Sequence, residues 1–118
     1  MTKEEFIESI FQRLKSVALR CIPICEKKKK KSDYSKNISY QLAKSSSSSA
    51  ANYRAVRRSR SKNEFFAKLS IVIEELDETE FWITFSCEAN FLELTKCQDI
   101  LTETNELIKI LATARKNT

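Results

Sequence analysis

The chain contains no glycine, and only one proline, Pro23, in 118 residues. Glycine takes positive φ without penalty, so its absence removes phosphate-cradling glycine loops, Asn-Gly hairpin turns and most sheet architectures built on such turns. An all-α chain is what remains. The length suits one domain, residues 1–118, and 42% hydrophobic residues suffice for a core. Histidine is also absent, which takes away the usual general base and the commonest metal ligand. We therefore expect no enzyme, no cofactor and no small-molecule substrate.

Apolar residues recur at helical spacing in four segments, predicted as helices over about 3–25, 33–58, 61–88 and 95–115. Thr2 with Glu5, Ser61 with Glu64 and Thr95 with Gln98 read as capping boxes that open the first, third and fourth, and Ser32 or Asp33 caps the second. Phe6, Ile10, Leu14, Val17, Cys21 and Ile24 line one face of the first helix. Pro23 predicts a kink or an end between Arg20 and Glu26, because proline lacks the amide donor and its ring clashes with the preceding turn. The serine run 45–49 resembles a linker, yet the apolar period passes through it in phase from Ile38 and Leu42 to Asn52 and Val56. It is read as helix rescued by tertiary packing. Glu88 to Leu94 connects the last two helices, with Asn90 as the turn residue because asparagine tolerates left-handed geometry. Four amphipathic helices with short connections give an up-and-down four-helix bundle.

The stretch Ala51–Trp82, ANYRAVRRSRSKNEFFAKLSIVIEELDETEFW, resembles the signature of bacterial four-helix-bundle proteins first noticed as reading frames inside intervening sequences of large-subunit ribosomal RNA genes. Asn-Tyr-Arg, the spaced arginines, Ser-x-x-Glu-Phe, Lys-Leu and Glu-Glu-x-Asp-Glu-Thr carry the likeness. It implies an up-and-down bundle, often a ring of five subunits, with no established activity and no catalytic residues to transfer.

Charge is uneven. Residues 27–68 hold thirteen Lys and Arg against two acids, and the remainder of the chain is net acidic. Ten of the thirteen fall in two groups, Lys27, Lys28, Lys29, Lys30 and Lys31 in one, and Arg54, Arg57, Arg58, Arg60 and Lys62 in the other. A helix between them, at 1.5 Å per residue, separates the groups by about 39 Å. Both are candidate contacts for RNA or DNA phosphates. Against that, each arginine could instead pair with acids of the third helix. Tyr53 is the one aromatic inside the arginine group, and it falls near the core face, so stacking partners for bases are scarce. Asn52 reads as structural, a register-setting hydrogen bond.

Cys21, Cys25, Cys87 and Cys97 show no C-x-x-C spacing, and the acids 74–80 lack the Glu-x-x-His pairing of carboxylate-bridged metal sites. The cysteines are read as packing residues in a reducing cytoplasm, and no metal is expected. MTKEEF begins acidic, without a signal-peptide apolar run, and no stretch is apolar enough to span a membrane. Finally, the apolar arcs of two helices are too wide for one core. Ile7, Phe11 and Ile22 flank the first stripe, and Ile71, Trp82 and Phe85 lie off the third, which predicts a homo-oligomer; the family resemblance implies a pentamer as first choice. A protein-interaction scaffold without nucleic acid is the alternative function.

Overall fold

The computed structural model describes residues 1–28 and 32–117, apart from the side chains of Lys27, Lys28 and Lys96. Four helices follow one another: α1 (Lys3–Lys28), α2 (Asp33–Val56), α3 (Lys62–Glu88) and α4 (Leu94–Lys116). α1 packs on α2, α2 on α3, α3 on α4, and α4 returns to α1, while the backbones of the diagonal pairs stay apart among the described residues. This closed cycle is the up-and-down four-helix bundle, 45 × 24 × 20 Å.

Local chemistry sets most helix ends. At α1, Glu5 N–H donates to Thr2 Oγ1 at 3.1 Å and Thr2 N–H donates to Glu5 Oε1 at 3.2 Å, a complete capping box. Ser32 caps α2 with Ser35 in the reciprocal place. Ser61 accepts from Glu64 N–H at 3.0 Å to start α3, but the Glu64 carboxylate turns to Lys68 Nζ at 2.7 Å, so only half a box forms. After α3, Asn90 stands at φ 63°, Phe91 N–H donates to Ser86 O, and Asn90 N–H donates to Cys87 O. These two bonds around a left-handed residue make a Schellman cap, filled by asparagine where glycine would serve.

Three sequence expectations need correction. Pro23 does not end α1, which continues to Lys28. Leu19, whose carbonyl loses its donor to proline, and Pro23 itself are both exposed, so water can satisfy the freed group. α2 ends at Val56 rather than 58, because Arg57 and Arg58 already belong to the turn. The Thr95–Gln98 box does not form: α4 starts one residue earlier, with Glu93 before it, so Thr95 lies inside the first turn, where a side-chain cap has no place.

The core joins Leu14 and Val17 of α1, Leu42 and Tyr53 of α2, Leu69, Leu76 and Ile83 of α3, and Leu107 and Leu111 of α4. The serine tract is helical throughout, with Ser45, Ser46 and Ser49 buried. Their hydroxyls donate to carbonyls one turn back, and Thr79 Oγ1 of α3 reaches Ser45 Oγ at 2.9 Å. Ser45 thus sits in the α2–α3 seam, while Ser46 lies against Cys21 of α1. Asn52 Nδ2 donates to Glu75 Oε1 at 2.7 Å across the α2–α3 seam, the structural bond expected of that residue. The α1–α4 seam carries charge as well as apolar core. Arg13 makes two parallel 2.8 Å bonds to Glu103 and a third contact to Glu106 at 3.1 Å. Hydrogen bonding from Arg13 holds the Glu103 carboxyl below its ordinary value.

Candidate functional site

α1 and α3 run in the same direction, so their N-termini share one end of the bundle with the α2–α3 turn and the end of α4. That end is open. A cleft of about 620 Å³ lies between Lys3, Phe6 and Ile7 of α1, Tyr53 and Val56 of α2, the turn residues Arg57 and Ser59 to Ser61, Lys62, Phe65 and Leu69 of α3, and Leu111, Ala114 and Asn117 at the close of α4. Its floor is aliphatic, formed by the buried Val56, Leu69 and Leu111. Lys3, Arg57, Arg60 and Lys62 are cationic, and no carboxylate is among the lining residues.

The turn explains the opening. Arg57-Arg58-Ser59-Arg60-Ser61 offers no apolar side chain to fold over the core end, and cationic side chains stay in water. Ser59 Oγ is buried without a hydrogen-bond partner. Tyr53 is 4% exposed, and burial pushes its phenol up to about 12, so it stays protonated at neutral pH.

The second basic group therefore divides. Arg57 pairs with Glu8 of α1 at 3.0 Å, not with α3, and its guanidinium lies 5.6 Å from the Phe11 ring centroid. Arg60 approaches Glu64 at 3.9 Å and is almost fully exposed. Lys62 is the first residue of α3 and lines the cleft. Arg54 and Arg58 are exposed beside it, outside the lining, and make no ion pair among the described residues. Of the lysine run, Lys27 and Lys28 close α1 at the opposite end of the bundle, with side chains outside the described set. Lys29, Lys30 and Lys31 lie outside the described residues altogether.

Lys3, Phe6, Ser59 and Phe65 escaped the sequence reading as site residues. The signal for Lys3 and Phe6 was available in the topology, since helices one and three of an up-and-down bundle begin at the same end. Phe6, assigned to the core stripe, is 43% exposed because nothing crosses the open end to cover it.

The six residues marked for subunit contact fall on two diagonal corners. Ile22 of α1 is 51% exposed, while Ile7 and Phe11 are half-buried against the core, Ile7 at the cleft and Phe11 beneath Arg57 and Lys15. On α3, Ile71 is 47% exposed, and Trp82 and Phe85 join the exposed Phe81 in an aromatic cluster with centroids 4.9 to 5.7 Å apart. Because α1 and α3 stand diagonally in the bundle, these are two faces rather than one.

All four cysteines are free thiols, and Cys21, Cys25 and Cys97 are buried. Desolvation raises each thiol, Cys21 to about 12 and Cys97 to about 11, which suits packing and disfavours the reactive thiolate. No group of three metal-ligating side chains converges among the described residues. Nor is any described helix long and apolar enough to cross a membrane.

A family model described as 23S rRNA-intervening sequence protein matches residues 8–113. Among solved structures, a protein of unknown function from the S23 ribosomal protein family of Bacteroides thetaiotaomicron VPI-5482 superposes with a TM-score of 0.81. The two share 23% identity over 91% of this chain and 98% of the other, so the likeness concerns the fold alone. No curated protein matches the chain.

Proposed function

The chain belongs to the 23S rRNA-intervening sequence protein family, and from that premise we propose that it is a non-catalytic, cytoplasmic binding module that grips nucleic-acid phosphates with the open, basic end of its bundle. The supporting observation is the gathering of Lys3, Arg57, Arg60 and Lys62 around one cleft without a lining carboxylate, with Arg54 and Arg58 beside it. Phosphate contacts of this kind release counterions, so affinity for RNA or DNA should fall linearly on a log–log plot against salt. Arg58→Glu and Lys62→Glu should each weaken binding, and neutralising either cation should shallow the salt slope by roughly 1. Absence of retention on filters at low salt and micromolar protein removes the reading.

A scaffold reading is favoured by a different observation, the apolar residues exposed on diagonal corners, Ile22 on one side and Ile71 with Phe81 on the other. Two different faces suit head-to-tail contact, which makes a ring where the rotation closes; the reading is a homo-oligomer, with five subunits as the first choice on the family resemblance. Sedimentation tests it. A mass near 13.7 kDa would end the oligomer, and an assembly indifferent to Ile71→Glu or Trp82→Glu would move the interface elsewhere.

A further inference from the structure

We propose that the open end binds a single strand by taking one unstacked base into the cleft, with the neighbouring phosphates on Lys3, Arg60 and Lys62. This inference rests on the nucleic-acid reading and deepens it. A cationic rim alone would serve any polyanion, including a duplex. The cleft adds what a duplex cannot use, because its bases are already stacked and their faces covered.

The volume of about 620 Å³ lies within the range of sites that enclose small organic groups, roughly 300 to 1,000 Å³. Phe6 from α1 and Phe65 from α3 line it, and no ring–ring contact joins them among the described residues. Their faces are therefore not spent on each other. Val56, Leu69 and Leu111 supply an apolar floor for a flat ring. Aromatic faces interleaved with cations are the physical requirement for sequence-tolerant single-strand binding. Read along the chain, the aromatics of the arginine group are scarce; the fold supplies them from two other helices.

Fluorescence anisotropy with a labelled oligothymidylate of about 12 nucleotides, a length within the reach of one small domain, provides the test. The comparison strand is abasic, of equal length and charge. The oligothymidylate should bind about 5- to 150-fold more tightly, the range expected from one stacked base. Phe6→Ala should remove most of that ratio and Phe6→Trp should keep it, and both should fold, since Phe6 is 43% exposed in the first turn and outside the buried core. Equal affinity for the two strands overturns the base-binding inference while leaving phosphate binding intact. Binding of neither strand overturns both. If Phe6→Ala alters the sedimentation mass but not the strand ratio, a second copy of the chain fills the cleft and the inference is wrong.

Discussion

The two ends of this bundle differ in what their turns carry. At the α3–α4 end, the chain reverses through Asn90, and the next two residues, Phe91 and Leu92, fold onto Ile24, Cys25, Ile38 and Leu42. The Tyr34 ring stands 6.3 Å from Phe91, and the void left inside is about 10 Å³. At the α2–α3 end, the turn consists of arginine and serine, and about 620 Å³ stays open. Both ends terminate the same helical core. An apolar pair placed after a left-handed turn closes one of them, and a cationic turn leaves the other accessible.

The sharpest way to break this comparison is to truncate one aromatic at each end. Phe91→Ala should cost about 2 kcal/mol in chemical denaturation, below the full cost of a completely buried phenylalanine because Phe91 is half-buried. Phe6→Ala should cost about 0.5 kcal/mol or less, since an exposed side chain has little packing to lose. Equal costs would mean that the open end is covered in solution.

A smaller effect separates the serines of the open turn. Ser61 satisfies Glu64 N–H, so Ser61→Ala should cost about 1 kcal/mol. Ser59 Oγ is buried without a partner, and Ser59→Ala should leave stability unchanged or raise it slightly. A lowered denaturation midpoint for Ser59→Ala, with none for Ser61→Ala, would move the helix start.

The smallest effect concerns acid. Glu64, hydrogen-bonded by Lys68 and near Arg60, and Glu8, hydrogen-bonded by Gln12 and paired with Arg57, both titrate below the ordinary carboxylate value. A carboxyl depressed in the folded state contributes stability that is complete above its unfolded value, about 4.3, and vanishes as pH falls through the lowered folded value. Denaturation midpoints followed into acid should therefore drop, and Glu64→Gln should shallow that drop. Superimposable acid profiles for the parent and Glu64→Gln would show that these exposed pairs add nothing at the open end.

Much of the architecture was legible along the chain, because its determinants act within about one helical turn. A glycine-free sequence left helices as the available structure, Thr2 and Ser61 marked two starts, and Asn90 took the positive φ that the α3–α4 turn requires. The serine tract stayed helical because the apolar period crosses it, and small side chains suit the seam against α3. What only the tertiary structure decided is convergence. Lys3 and Phe6 meet Ser59, Lys62, Phe65 and Asn117 in one cleft from opposite reaches of the sequence, and Arg57 finds Glu8 of α1 instead of the acids of α3. The bidentate Arg13–Glu103 clamp, whose partners stand ninety positions apart, likewise left no mark on local periodicity. Capping and hydrophobic period are short-range and can be read in order. Meetings of side chains across four helices depend on which neighbours the closed cycle brings together, and on how far each turn leaves its end of the core uncovered.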